Sequence, residues 1–413
     1  VKAIPVRPAL ETLAPVEVAA GLRHRPGLAF FDTAGHLPGR YGTPVSIVAA
    51  DPAAVLTGSI HDPAARERLR RVLRDRATGP SPDCGFPLGA LCGWVSYEGD
   101  FVFGDYPEML VHTEAGGWHE AGGLSGRLAD GPGTPVSLGP IRSRWTRERF
   151  LGAVERIREW IAAGDIYQVN LAQTFEAEVR GGSLFGLHQA LRDASPAPMA
   201  AYLALDGREV VSSSPETFLR ISGRGIETRP IKGTRPRFAD PAEDRRSAYE
   251  LQTSPKEISE LVMITDLLRN DLGQVCEFGS VAVDEMLRLE SLAQVHHLVS
   301  TVSGRLREDV DAVGALAACF PGGSITGAPK KRAMEIIREL EREPRGVYCG
   351  AIGYLGYNGE SQFNIAIRTA VREGDTLRFH AGAGIVADSD PEKEYEETLH
   401  KAEGIRLALQ RMA

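Results

Sequence analysis

"FNIAIRTAVREGDTLRFHAGAGIV", residues 363–386, decides how the chain folds. Phe363, Ile365, Ile367, Thr369 and Val371 alternate with Asn364, Ala366, Arg368 and Ala370, the two-residue period of a half-buried strand with a small, polar second face. Glu373-Gly374-Asp375 supplies a turn, and "LRFHAGAGIV" returns as a second strand beside the first. Hairpins pair antiparallel. Elsewhere strands and helices alternate without a regular βαβ rhythm, so the fold class predicted is α+β with largely antiparallel sheet.

Outward from the hairpin, helical patterns cover about 62–76, 150–161, 254–269, 329–342 and 391–411. Ser254-Pro255-Lys256-Glu257 opens its helix with an N-cap, a first-turn proline and a capping-box glutamate. Strand-like runs include "PVSIVAADP" (44–52) and "ALCGWVSYE" (90–98). From Glu114 to Pro140 the chain is dense in glycine, with prolines and few apolar residues, and reads as a long loop or boundary. The division expected is an N-terminal region, 1–140, and a larger region, 141–413.

The 413 residues are 43% hydrophobic, ample for a large core, and carry a net charge of −8. That balance argues against nucleic-acid binding, which needs a clustered basic surface. Five scattered cysteines (Cys84, Cys92, Cys276, Cys319, Cys349) form no C-x-x-C, so neither a disulfide framework nor a zinc site is expected. No apolar run suggests a signal peptide or a membrane span, and a cytoplasmic location is expected.

Four constellations could carry chemistry. In "RPIKGTRPR" (229–237), Lys232 stands near the end of a short strand shared with Ile226, Thr228 and Pro230, which Pro230 limits to an edge or an end. Arg229, Arg235 and Arg237 around it would disfavour its charged form and raise the share of nucleophilic free amine; a solvated surface lysine is the plain alternative. "FPGGSITGAPKKRAMEII" (320–337) sets free backbone N–H groups at a helix start but is no Walker loop, since Gly327 is followed by Ala-Pro-Lys. Glu257 and Glu260 on one helix, and Glu394, Glu396 and Glu397 on another, are oxygen donors suited to a hard divalent cation or, equally, solvated helix faces. Arg368 with the glycine amides of "HAGAGIV" (380–386) suits a carboxylate.

Together with "GDIYQVNLAQ" (164–173), "SSSPETF" (212–218), "SELVMITDLLRNDLG" (259–273), "VHHLVSTV" (295–302) and "CGAIGYLG" (349–356), these segments resemble the chorismate-utilising enzymes, in the family's order, over about residues 140–410. The family includes the anthranilate, aminodeoxychorismate, isochorismate and salicylate synthases. The resemblance implies two largely antiparallel sheets packed together and flanked by helices, as in anthranilate synthase component I. It also implies a general acid at Glu216, a covalent nucleophile at Lys232, and Mg²⁺ on Glu260 and Glu397. Substrate contacts fall on Gly233, Thr234, Thr326, Tyr354, Arg368, Gly382, Ala383 and Gly384, while His297 lies near the site without an assigned role.

Two positions discriminate within the family. Anthranilate synthases carry alanine where Lys232 stands, and isochorismate and salicylate synthases carry a lysine base where this chain has Gln168. Lysine at 232 with an amide at 168 resembles aminodeoxychorismate synthase component I, which converts chorismate and ammonia to 4-amino-4-deoxychorismate; anthranilate synthase component I is the alternative. Ammonia would come from a separate glutamine amidotransferase subunit, since no G-x-C-x-G turn surrounds any cysteine here. Some family members bind tryptophan in the N-terminal part. Residues 30–52 depart from that pattern around Gly39–Pro44, so region 1–140 reads as a vestigial form of the pocket.

Overall fold

The computed structural model describes residues 10–33, 45–79, 85–129, 133–194, 196–292 and 294–410. The stretch Gly39–Pro44, on which the tryptophan-pocket expectation turned, lies outside them. Among the described residues the strands form one sheet of twelve and one of ten, and every ladder between them is antiparallel, as expected.

The sheets pack face to face. Ile47, Met109, Leu203 and Val210 of the first meet Trp94, Val102, Ile352 and Tyr354 of the second in one buried cluster. Helices Pro15–Leu22, Phe185–Ala194 and Pro391–Gln410 cover the outer face of the first sheet, around Phe30, Tyr202 and Phe379. Helices Pro63–Asp75, Arg147–Ala162, Ala312–Cys319 and Lys330–Glu341 share the core around Leu91, Phe103 and Phe363 on the second. Two apolar sheet faces buried on each other, each with a helical cover, give four layers.

Both sheets draw strands from either side of residue 140. Strand Ala29–Asp32 pairs with Met199–Leu205, and Ala90–Val95 pairs with Ala351–Gly356. The glycine-dense stretch before residue 140 is not all loop, because Gly117–Ala121 pairs with Met109–Thr113 through Trp118, whose indole is buried.

The 362–371 pattern is two strands, not one. Ser361–Ile365 belongs to the ten-stranded sheet and Thr369–Glu373 to the twelve-stranded sheet. The chain passes between them through 366–368, with Arg368 at a φ of +50°, a left-handed conformation a non-glycine residue adopts at some cost. Alternation continues through the bend, which is why the pattern did not show it. The preceding crossover, from Arg208–Ser214 to Thr217–Ser222, lies beside it: Ile365 N–H donates to Glu216 O (3.1 Å), and Ser214 Oγ donates to Ile365 O (2.6 Å).

One edge of the twelve-stranded sheet needs a special device. Strand Gln168–Gly181 is paired on its outer side by Gly327–Ala328 only at Gln168 and Val169. Beyond that, Asn170 N–H donates to Thr326 O (2.9 Å). The buried pair Glu341–Arg345 takes over next: Ala172 N–H donates to Glu341 Oε1 (2.9 Å), and Arg345 Nη2 donates to Asn170 O (2.8 Å). Arg345 also donates to Ile325 O (3.1 Å) and to both carboxylate oxygens of Glu341 (2.9 and 2.7 Å). Removing one member of a buried pair leaves the other uncompensated, which costs about 3–5 kcal/mol. Arg345→Met should therefore lower unfolding free energy by about that much in urea titrations; a loss below about 1 kcal/mol, the worth of an exposed pair, would show that the clamp does not hold this edge.

Candidate active site

Lys232 lies on edge strand Ile231–Pro236, which pairs with Val295–Arg305. Pro230 separates it from Gly225–Arg229, so the single strand expected over 226–232 is two, and of the two positions expected, edge or end, Lys232 takes an edge. Gly233, at a φ of +68°, makes the register shift between Lys232 and Thr234. The bulge turns Lys232 inward: Nζ lies 3.5 Å from Glu260 Oε2, with both side chains mostly buried. The arginines do not crowd it. Arg229 is buried against Glu290 and Thr301, Arg237 pairs with Asp244 (2.9 Å), and Arg235 donates to Thr234 O. The nearest charge on Lys232 is a carboxylate, the opposite of the sequence expectation.

Opposite Lys232 stands strand Thr376–Ile385. Because Asn170 and Ala172 direct their backbone groups to the clamp, Gly384 and Gly382 across from them turn theirs away from that strand. On that free side strand Thr369–Glu373 has stopped pairing, its last partner being Phe379, and Lys401 Nζ donates to Gly382 O (3.0 Å). The N–H groups of Gly382 and Gly384 thus line an open strand edge. Ala383 does not join them: its side chain is in the core and its backbone faces Leu171.

The glycines are required by what covers them. A Cβ at Gly384 would lie 2.6 Å from Gln168 Nε2 and 3.6 Å from Lys232 Nζ. A Cβ at Gly382 would lie 2.7 Å from Asn170 Oδ1 and 3.0 Å from Tyr348 Oη. Tyr348, stacked on His380 at 4.9 Å, is the tyrosine that reaches this strand. Tyr354 is not: it packs edge-on to Phe31 between the sheets, with its hydroxyl toward Gln362. Tyr348 precedes strand Ala351–Gly356 and Tyr354 lies on it, so six positions along the chain separate the tyrosine at Gly382 from the one buried between the sheets.

Glu216 sits at the other crossover, buried. Burial pushes its carboxyl up to about 7, against the opposing pull of a hydrogen bond from Ser324 and the charge of Lys232. Arg368 has no ion-pair partner among the described residues, and burial holds its guanidinium below the ordinary arginine value. A buried guanidinium without an ion-pair partner among the described residues suits an anionic ligand. His297 Nδ1–H donates to Gly233 O (2.9 Å), with Thr234 Oγ1 at 3.2 Å, so Nε2 carries the lone pair and is buried without a partner. Burial lowers this imidazole to about 4, so it is neutral at pH 7. Thr326 is fully buried and spends its hydroxyl on Gly322 O and Gly323 O, shaping the 320–327 loop.

The acidic helices do converge. Lys256 Nζ stands 4.0 Å from Glu260 and 3.7 Å from Glu394, joining Pro255–Gly273 to Pro391–Gln410. Burial, then the neighbouring Glu260, raises Glu257, whose side chain turns to Gly233 instead of closing a capping box. Burial, then Glu397, raises Glu394. Glu397 would also be raised by burial, but Lys401 at 2.6 Å, with Lys256 and Lys232, holds it below the usual range. Among the described residues no three such groups form a ready-made metal cage. The donor set fits a hard divalent cation that takes one carboxylate from each helix and completes its shell with ligand and water.

A sequence profile of the family described as chorismate binding enzyme matches residues 126–406. Anthranilate synthase component 1 of Methanothermobacter thermautotrophicus is 48% identical over 280 residues, covering 67% of this chain and 60% of the relative. The aminodeoxychorismate synthase of Streptomyces griseus is 48% identical over 273 residues, covering 66% and 38%. The chain thus spans three-fifths or less of either relative's length. The crystal structure of anthranilate synthase component I from Streptococcus pneumoniae superposes with a TM-score of 0.77 at 29% identity, covering 90% of this chain and 93% of that one. MenF, the menaquinone-specific isochorismate synthase of Escherichia coli, shares the fold with a TM-score of 0.80 at 20% identity, covering 98% and 94%.

The Glu216 carboxyl should titrate at about 7 in infrared difference spectra, protonated below and ionised above. Ser324→Ala, which removes a donor to the charged form, should move it upward. A carboxyl at the ordinary glutamate value, or one indifferent to Ser324→Ala, would contradict this description of its surroundings.

Proposed function

The chain belongs to the chorismate-binding enzyme family, and from that premise we propose that it aminates chorismate to 4-amino-4-deoxychorismate through a covalent bond to Lys232. The carrying observation is the Lys232 amine turned inward against Gly384 and Gln168. A single displacement of hydroxyl by nitrogen at the same carbon is awkward, and covalent catalysis divides it into two easier steps.

In the first step the Lys232 nitrogen bonds to C2, the ring double bonds shift, and the C4–O bond breaks. The departing hydroxyl takes the Glu216 proton and leaves as water, and the proton shed by the lysyl nitrogen returns to Glu216. In the second step ammonia bonds to C4, the double bonds shift back and the C2–Nζ bond breaks. The proton lost by the new nitrogen goes to the departing lysine. Arg368 and the N–H groups of Gly382 and Gly384 hold substrate oxygens. Glu260 and Glu397 would hold Mg²⁺, which when bound supplies a Lewis acid for a substrate carboxylate and offsets the negative charge facing Lys232. Gln168 is an amide and cannot take a proton from water, which keeps water from competing at C2.

Ammonia must come from elsewhere. Among the described residues Cys92, Cys276, Cys319 and Cys349 are buried, and burial pushes each thiol up, those of Cys319 and Cys349 to about 12, so none of these four resembles a glutaminase nucleophile. A glutamine amidotransferase subunit is the proposed source.

A second reading, release of anthranilate, has its own support. His297 Nε2 is an unprotonated base one residue's reach from Gly233, and the first relative above is named for that activity. Anthranilate lacks the enolpyruvyl side chain, so product mass separates the two. With chorismate, Mg²⁺ and ammonium the chain should release 4-amino-4-deoxychorismate, and EDTA should stop it. Anthranilate as the main product selects the second reading. Glu216→Gln should slow turnover by about 10²–10⁴-fold, the usual worth of a general acid, and the wild-type rate of C–O cleavage should fall as pH rises through about 7, where Glu216 loses its proton.

A further inference from the structure

Asn170 is an amide with an oxygen that nothing uses. Its Oδ1 is shielded from solvent and has no hydrogen-bond partner among the described residues. Its backbone is pinned on both sides, N–H to Thr326 O and carbonyl to Arg345 Nη2. Its side chain crosses Gly382 on the face of the sheet where Gln168 crosses Gly384, and only glycine leaves room at either place. A buried acceptor without a donor costs about 1–3 kcal/mol, so an oxygen held this firmly in place is there for a ligand that donates.

Resting on the amination reading above, we propose that Asn170 Oδ1 holds the incoming ammonia for its attack on C4. Carboxylates and the enol ether of chorismate have no proton to give; the 4-hydroxyl and the nitrogen that replaces it do. The spacing agrees. Gln168 and Asn170 alternate along one strand and are about 7 Å apart, and Lys232 stands at the Gln168 end, against Gly384. A nitrogen on C2 and another arriving at C4 are roughly 5 Å apart by ordinary bond lengths, with about 3 Å more to a hydrogen-bond acceptor. The amide is also the right acceptor chemically. It takes an N–H without favouring the protonated form, whereas a carboxylate there would stabilise ammonium, which cannot attack.

The test separates the two half-reactions. Without ammonia, rapid mixing follows the first equivalent of chorismate consumed by Lys232; with ammonium, steady-state rates give kcat and KM for ammonia. Asn170→Leu, similar in shape but without an acceptor, should consume the first equivalent within about twofold of wild type and raise the ammonia KM about tenfold, the worth of one hydrogen bond. Asn170→Asp, the same size as the native residue, should bind ammonium at least as well but lose about tenfold in kcat. Equal losses in both half-reactions, or an unchanged ammonia KM in Asn170→Leu with normal kcat in Asn170→Asp, would overturn the assignment. A wild-type chain that forms anthranilate, or no lysine adduct, instead removes the amination reading, whatever the Asn170 variants do.

Discussion

The Glu341–Arg345 pair is the constraint on which the site depends. Between the short pairing at Gln168–Val169 and the next at Phe175–Glu176, the outer edge of strand Gln168–Gly181 has backbone groups and no neighbouring strand. Unpaired and buried, each would cost as much as a lost hydrogen bond. Glu341 and Arg345 supply the missing partners from the end of a helix, and Arg345 ties the 320–327 loop to the same point. Because the outward backbone groups are fixed there, the inner strand must present Gly382 and Gly384 to the cleft. Gln168 and Asn170 are held over them by the same register.

The reactive groups gather where two strands leave one sheet for the other. Glu216 and Arg368 lie on adjacent crossovers, locked by the bonds of Ser213, Ser214 and Ile365. A sheet corner gives what a continuous strand cannot: side chains that face neither core nor solvent but the gap at the end of the layers. There, burial lifts Glu216 toward neutrality and lowers the guanidinium of Arg368, which has no ion-pair partner among the described residues. The two acidic helices close the gap from the side, with Lys256, Lys232 and Lys401 balancing their carboxylates.

Helices and hairpin were legible because their signals are local. Asp62 and Ser254 cap the helices their positions announced, and helix Pro255–Gly273 runs only four residues further than its apolar period. The crossovers were not legible, since parity is unbroken through 366–368 while the backbone turns left-handed. Tyr354, on strand Ala351–Gly356, is buried in the layer between the sheets, whereas Tyr348, just before that strand, stands at Gly382, and nothing in the spacing of either tyrosine records its destination. The arginines around Lys232 misled because each is engaged elsewhere: Arg229 belongs to the separate strand Gly225–Arg229 and is buried against Glu290 and Thr301, Arg235 donates to Thr234 O, and Arg237, beyond the strand end, pairs with Asp244. Asn170 gave no signal at all, because an orphaned oxygen is visible only when its surroundings are.

Whether the inward amine of Lys232 becomes bonded to the substrate decides the proposed reaction. The most direct measurement is peptide mapping by mass after brief incubation with chorismate and Mg²⁺ in the absence of ammonia. The expected result is a mass gain, equal to chorismate less water, on the peptide that contains Lys232, discharged when ammonium is added. Full turnover on ammonium with every lysine unmodified, or an adduct on Lys256 or Lys401 instead, would contradict it.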